Sequence, residues 1–342
     1  MKRKFTYLAI AAIVLGASAA VPTTSAEELL LYSDRHYEED EALFKEFTKE
    51  TGIEVKMVKS GADQLIERLK AEGAKSPADL LLTADAGRLH RATEDGLLQA
   101  VESEVLAERI PENLRHPEGY WFGFTQRSRV IVYAKDRVKP SELSTYEDLA
   151  DPKWRGRILA RSSSNIYNQS LLASIIAADG ADKAEAWAAA VRKNMARAPQ
   201  GSDRDQAKAV VKGLGDIAIM NTYYVGLLAS SPDAGEREVA AKIGVFFPNQ
   251  DGRGAHVNVS GAGVTKVSKN KGAAVKLLEF LTEKETQEAF AKTTYEYPAV
   301  KDAAWSDLLK SWGEFKADDL NLAILGKNNK EAVRIFNRVG WE

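Results

Sequence analysis

Short apolar runs alternate with helix-periodic segments along the chain, and this order constrains the fold more than any other feature. Residues 29–32 form an apolar run, and residues 41–49 repeat apolar side chains at helical spacing. A run with period two follows at residues 53–58, then a helical segment at 64–71 and an apolar run at 80–83. Such an order predicts an α/β fold with parallel strands and helices on both faces of the sheet.

The strand and helix signals begin again after residues 151–157, which are rich in turn-forming residues and predict the start of a second unit. Residues 121–134 are predicted to be extended, and a second extended stretch at 245–264 returns the chain. Helices end it, with residues 273–290 the clearest. Two crossings between two α/β units predict a two-lobed binding protein with its ligand in the cleft between the lobes.

The predicted lobes each combine two stretches of the chain. The N-terminal lobe comprises residues 27–128 and 252–302, and the C-terminal lobe comprises residues 129–251 and 303–342. Extended hinge segments are expected near residues 126–132 and 245–257.

Residues 1–26 have the features of a secretory signal peptide. Three basic residues precede an apolar run at residues 5–15, and small residues lead to Ala26. The apolar run is short for a membrane-spanning helix. We therefore expect cleavage after Ala26 and a periplasmic protein without a membrane anchor. Loss of the three basic residues moves the formal charge from -2 to -5, which gives no basis for a nucleic-acid partner.

The chain contains no cysteine. This excludes disulfides, iron–sulfur clusters, thiolate zinc sites and cysteine nucleophiles. It also excludes a lipid anchor on an N-terminal cysteine.

Three short segments place phenols and an imidazole where a predicted strand passes into a helix. These segments are residues 33–37, 163–169 and 221–224. In a parallel sheet such junctions open at the edge where ligands bind. Together they supply His36, Tyr37, Tyr167, Tyr223 and Tyr224.

Each of these residues also has a structural interpretation. A tyrosine at a helix start is commonly a half-buried packing residue, and the chain has eleven tyrosines. The argument for a site therefore depends on the convergence of the three segments. Other phenols and imidazoles are interpreted as packing or structural residues: Tyr32, Tyr133, Tyr146, His90, His116 and His256.

Phenolate oxygens favour ferric iron over other metals. Fe³⁺ is a small hard cation, and tyrosinate also holds ferric iron in some haem proteins. Zinc prefers histidine and thiolate, whereas calcium and magnesium prefer carboxylates and carbonyls. Four phenolates leave a formal charge of -1 around Fe³⁺ but -2 around a divalent ion, which costs more in a desolvated cleft.

The chain resembles the ferric-iron-binding proteins of bacterial ABC importers, especially the tyrosine-rich subgroup without a bridging anion. The resemblance rests on Y-S-x-R-H-Y, W-F-G-F-T-Q-R-S-R-V-I-V-Y, N-I-Y-N-Q-S and G-D-I-A-I-M-N-T-Y-Y. It implies a type II periplasmic binding fold with a mixed sheet in each lobe, Fe³⁺ as the bound ligand, an inner-membrane ABC permease as partner, and a monomer.

The resemblance also assigns the site residues. The family ligands fall on His36, Tyr37, Tyr167, Tyr223 and Tyr224. In this family the histidine either binds the metal or lies beside it. Arg127 falls where the family has a cleft arginine. Some relatives carry another arginine where Leu227 and Leu228 stand here, so charge compensation is expected from Arg127, from Arg35 or from another part of the chain.

Two other functions are compatible with the same residues. The cleft could hold a small organic cation in an aromatic cage, or an oxyanion at helix N-termini. A secreted hydrolase could use the serines at residues 162–164 with His36. The sequence lacks H-E-x-x-H, a Walker phosphate loop and G-x-S-x-G, so we expect a binding protein and not an enzyme.

Overall fold

The computed structural model describes residues 27–35 and 37–342. The predicted signal peptide at residues 1–26 and the candidate ligand His36 lie outside the described residues. Over the described ranges, no helix is both long and apolar enough to cross a membrane.

The strands, in chain order, are β1 (Glu28–Ser33), β2 (Glu54–Lys59), β3 (Leu80–Ala84), β4 (Phe122–Ala134), β5 (Ile158–Leu159), β6 (Ile217–Asn221), β7 (Ile243–Phe246), β8 (Val257–Val264) and β9 (Tyr297–Pro298). The α-helices are α1 (Glu38–Thr51), α2 (Ala62–Glu72), α3 (Ala86–Glu94), α4 (Glu104–Arg109), α5 (Ile166–Asp179), α6 (Ala181–Asn194), α7 (Asp203–Val211), α8 (Thr222–Ala229), α9 (Ala234–Lys242), α10 (Lys271–Phe280), α11 (Lys284–Thr293), α12 (Asp307–Ser311), α13 (Ala323–Lys327) and α14 (Asn329–Val339).

The first lobe is built on β1, which pairs in parallel with both β2 and β3. The strand–helix order of the sequence predicted this parallel arrangement, and the structure confirms it. The sheet is nevertheless mixed, because β8 runs antiparallel to β3 and to β4. Helix α1 follows β1 directly, with four acidic residues in its first turn and Gly52 at its end. Acidic residues at the N-terminus and a left-handed glycine at the C-terminus both stabilise a helix.

Strand β4 connects the two sheets. Its residues from Phe122 to Ser128 pair with β8, whereas those from Arg129 onward pair with β6 and β7. Strand β5 pairs in parallel with β6 and completes the second sheet. The chain therefore passes between lobes along β4, and it returns between β7 and β8. The predicted lobe boundaries themselves stay a prediction.

Two predicted elements are broken in the structure. The extended stretch predicted at residues 245–264 is two strands, β7 and β8, because residues 250–253 form a turn between them. The helix predicted at residues 273–290 is two helices, α10 and α11. A turn at residues 281–282 separates them, and the backbone amide of Thr282 bonds to the carbonyl of Glu279.

Helix α5 lies where the lobes meet. Its apolar residues are distributed around the helix, and Leu171, Leu172 and Ile175 are buried. A helix that is apolar on every side is expected to be buried. Helix α13 packs against both α5 and α3, so the C-terminal segment joins the second lobe to the first.

Candidate metal centre

Tyr37 lies at the N-terminus of α1, immediately after the loop that follows β1. The loop is fixed by Arg35, whose Nε and Nη2 donate to the carboxylate of Asp40 at 2.8 and 3.0 Å. Nη1 of Arg35 donates to Glu296 at 2.5 Å and to Ser260 at 2.9 Å. The guanidinium also lies 5.1 Å from the centre of the Tyr37 ring. Arg35 is thus a buried anchor for the segment that carries Tyr37.

Tyr167 lies in the first turn of α5. Asn165 caps this helix, and its side-chain oxygen accepts a hydrogen bond from the backbone amide of Tyr167 at 3.1 Å. Three guanidinium groups surround the ring: Arg127 lies 5.5 Å from its centre, and Arg129 and Arg161 each lie 5.9 Å away. Positive charge near a phenol favours its deprotonated form.

Tyr223 and Tyr224 begin α8, directly after β6. Their rings lie 4.2 Å apart, centre to centre. The hydroxyl of Tyr223 donates to that of Tyr167 at 3.3 Å, which joins the second and third predicted segments. Helix α8 packs closely against Tyr295 at Gly226. A Cβ added at Gly226 would lie 2.5 Å from the side chain of Tyr295, so a larger residue would clash there. The glycine therefore permits the close packing that positions the tyrosine pair.

These side chains surround a small cavity of about 60 Å³. Six residues singled out from the sequence line it: Arg35, Tyr37, Arg127, Tyr167, Tyr223 and Tyr224. The structure thus brings together both predicted arginines and all four predicted phenols; His36 lies outside the described residues. Their role as ligands stays a prediction.

Four further residues line the cavity and were not singled out from the sequence: Asp34, Ala84, Ser260 and Glu296. Asp34 belongs to the first predicted segment, so its position beside Arg35 could have been noticed. Ser260 lies on β8 and Glu296 precedes β9. No local pattern marks these two, because they reach the cavity only through the pairing of distant strands.

Burial keeps Tyr37, Tyr167 and Tyr223 neutral before a metal binds. It raises the pKa of Tyr223 and of Tyr167 well above the ordinary value near 10. The pKa of Tyr37 is also raised, first by burial and second by the negative charge of Glu296. Burial alone would raise the pKa of Glu296 as well, but Arg35 and Arg127 lower it overall, so this carboxylate is ionised at neutral pH.

Arg127 supplies positive charge that the surrounding protein does not neutralise through a hydrogen bond. The residue is 1% exposed, and neither Nη1 nor Nη2 has a hydrogen-bond partner among the described residues. Its closest ion-pair contact, from Nη2 to a carboxylate oxygen of Asp85, is 3.9 Å long. Arg127 lowers the pKa of Tyr167, although burial outweighs it. A buried guanidinium whose Nη atoms lack hydrogen bonds is costly, and it gains from an anionic neighbour.

The remaining candidates have structural roles. His90, His116 and His256 are all buried, and none lines the cavity. Tyr146 is not only a packing residue. Its hydroxyl donates to the carbonyl of Arg129 at 2.5 Å and accepts from the amide of His256 at 3.0 Å. These bonds link β4 to the residue that precedes β8. Ser162 and Ser164 bond to each other at 3.1 Å in the turn before α5.

The fold and the site together define a two-lobed substrate-binding protein of the type II periplasmic class, with its candidate site between the lobes. The chain belongs to the bacterial extracellular solute-binding protein family, whose sequence profile matches residues 42–317.

Three relatives illustrate the similarity. Iron uptake protein A1 of Synechocystis is 52% identical over 316 residues, which cover 92% of this chain and 88% of the relative. A Trichodesmium protein (IdiA, FutA), solved in complex with iron and citrate ligands, has a TM-score of 0.90 and 51% identity, covering 92% of this chain and 100% of its own. The ferric binding protein of Campylobacter jejuni has a TM-score of 0.87 and 44% identity, with coverage of 92% and 100%.

Proposed function

We propose that this protein captures ferric iron in the cleft between its lobes and delivers it to an ABC importer in the inner membrane. The proposed ligands are His36, Tyr37, Tyr167, Tyr223 and Tyr224. The observation that carries the proposal is the convergence of four phenols, from three strand-to-helix junctions, on one cavity of about 60 Å³. Relatives named for iron uptake and ferric iron binding support it.

The charges around the cavity favour a trivalent metal. Four phenolates around Fe³⁺ leave a formal charge of -1, which the guanidinium of Arg127 at the cavity can offset. A divalent ion would leave a second negative charge in a buried site, where it is costly. Arg35 is already paired with Asp40 and Glu296, so its contribution is chiefly to hold Tyr37 in place.

The cavity argues against the alternative ligands. A cavity of about 60 Å³ is far smaller than the pockets of roughly 300–1,000 Å³ that hold organic ligands. The guanidinium of Arg127 would also repel a cation. An isolated oxyanion would gain from Arg127 but would leave four clustered phenols without a role.

The proposal includes the cellular setting. The signal peptide at residues 1–26 is removed after Ala26, and the mature protein is a free periplasmic monomer without enzymatic activity. Its N-terminal lobe comprises residues 27–128 and 252–302, and its C-terminal lobe comprises residues 129–251 and 303–342. The pairing of β4 with β8 up to Ser128, and with β6 from Arg129, supports the first of these boundaries.

The direct test is to add Fe³⁺ from a weak chelator to the metal-free mature protein. We expect about one iron per chain and a red-orange colour, because phenolate-to-iron charge transfer absorbs visible light. The variant Tyr297→Phe is the matched control, since the Tyr297 hydroxyl lies outside the cavity and, over residues 27–35 and 37–342, is buried without a hydrogen-bond partner. Wild-type protein that stays colourless and free of iron would contradict the proposal.

A further inference from the structure

Asp85 joins three parts of the molecule through one buried carboxylate. The residue is 0% exposed and precedes α3 in the first lobe. Its carboxylate accepts from the backbone amide of Gly87 at 2.8 Å and from the side-chain amide of Asn258, on β8, at 2.9 Å. It also accepts from the hydroxyl of Ser170, on α5 of the second lobe, which lies 2.9 Å from both carboxylate oxygens. The Ser170 contact therefore crosses from one lobe to the other.

The backbone of Asp85 is strained, and its neighbours hold it in place. Its φ of 109° lies in a region that side chains other than glycine rarely adopt. The amide of Asp85 donates to the carbonyl of Val259 at 2.9 Å, and the amide of Ala86 donates to the side chain of Asn258 at 2.9 Å. Strain of this kind persists only where the surroundings over-determine it, and it is frequent at functional sites.

The position of Ser170 connects this carboxylate to the candidate metal centre. Ser170 lies on α5 three residues after Tyr167, so the two side chains lie on neighbouring positions of one helix face. On its other side, Asp85 lies 3.9 Å from Nη2 of Arg127, whose two Nη atoms have no hydrogen-bond partner in the part of the chain that the structure describes. Asp85 is therefore placed to fix two groups that face the metal.

We propose that Asp85 is a positioning residue that fastens the lobes together at the metal centre through its hydrogen bond to Ser170. The bond holds the helix of Tyr167 against the first lobe, so that the phenols of both lobes stay around one cavity. The role of Asp85 in retaining iron rests on the proposed function. Its role as a contact between the lobes can be tested without metal.

The chain provides a matched pair of variants. Ser170 and Ser174 are both buried hydroxyls on α5. Ser174 donates to the carbonyl of Leu171 at 2.7 Å, within its own helix, and makes no hydrogen bond to the described residues of the first lobe. Ser170→Ala therefore removes the interlobe bond, whereas Ser174→Ala removes an equivalent hydroxyl and leaves that bond intact.

The first measurement uses metal-free protein. Because the chain has no cysteine, spin labels at Lys45→Cys on α1 and Lys193→Cys on α6 report the distance between the lobes without background. Both lysines are exposed. We expect Ser170→Ala to shift the distance distribution, and Ser174→Ala to keep that of the wild type. Identical distributions in the two variants, or equal shifts in both, would overturn the proposal.

The second measurement is the rate of iron release to an excess of chelator. We expect Ser170→Ala to release iron about tenfold faster, the size associated with losing one hydrogen bond to a charged acceptor. The position of the visible band should not change, because no ligand is altered. Release at the wild-type rate would exclude the positioning role. If wild-type protein binds no iron, the proposed function fails, and the interlobe distances still decide whether Asp85 fastens the lobes.

Discussion

The hydroxyls of Tyr223 and Tyr167 lie 3.3 Å apart, although 56 positions separate these residues in the chain. Each follows a strand of the second sheet, and β5 and β6 pair in parallel, so their C-terminal ends meet at one edge. Burial raises the pKa of both phenols. Two neutral phenols can share a hydrogen bond at this distance, whereas two phenolates would repel each other unless a cation lay between them.

Removal of either hydroxyl of the tyrosine pair should therefore weaken iron binding. We expect Tyr223→Phe and Tyr224→Phe each to lower the affinity for Fe³⁺ by at least about a hundredfold. Even the loss of a residue that only supports a metal ligand typically lowers metal affinity by about 10–100-fold. The aromatic ring remains in both variants, so the fold should be retained. Competition with a chelator of known affinity measures the effect. Equal affinity of these variants and Tyr297→Phe would mean that the cavity does not hold the metal.

Arg127 should strengthen iron binding through its positive charge, and not only by its position in the cavity. We expect Arg127→Met to lower the affinity for Fe³⁺ by about 10–100-fold, the range for residues that support metal ligands. Because Arg127 lowers the pKa of Tyr167, its loss should also move the pH dependence of iron binding towards higher pH. Arg127→Lys keeps the charge and should keep most of the affinity. Chelator competition across pH tests both expectations, and an unchanged pH profile in Arg127→Met would contradict them.

The sequence predicted those parts of the site that depend on local order. A strand followed by a helix places the intervening residues at the sheet edge, so Tyr37, Tyr167 and Tyr223 could be assigned without knowing how the strands pair. Glu296 could not, because it reaches the cavity through the antiparallel pairing of β9 with β4.

The errors in the predicted secondary structure have a similar origin. Apolar periodicity continues through the turn between α10 and α11, because Leu281 is buried there as it would be in a helix. Periodicity reports which side chains face the core, and not whether the backbone is continuous. The role of Asp85 was also invisible in the sequence, since its partners Ser170 and Asn258 lie 85 and 173 positions away.

Arg35 should be a major contributor to stability. Its guanidinium is buried and forms ion pairs with both Asp40 and Glu296. Arg35→Met leaves two buried carboxylates without the cation that pairs with them, and we expect the free energy of unfolding to fall by about 3–5 kcal/mol. The control Arg334→Met removes an exposed arginine paired with Glu331 and should cost at most about 1 kcal/mol. Urea unfolding of the metal-free proteins tests this; equal losses in both variants would contradict it.

Iron binding should release several protons. The pKa values of Tyr37, Tyr167 and Tyr223 are all raised above 10, so these phenols carry their protons at neutral pH. Fe³⁺ binds the phenolate form, and protons therefore compete with the metal for the same oxygens. Lowering the pH weakens binding and raising it strengthens binding. With about three protons displaced, the affinity should change by roughly a thousandfold per pH unit near neutrality.

The proton count can be measured by titrating weakly buffered, metal-free protein with a ferric chelate whose own proton uptake is known. The wild type should release at least about three protons per iron as the visible band develops. Tyr223→Phe should release about one fewer, because it lacks one of the phenols whose pKa burial raises. Asp85 and Ser170 provide a contrast: Ser170→Ala removes no phenol and should release as many protons as the wild type. Release of one proton or fewer by the wild type would exclude a site built on several initially neutral tyrosines.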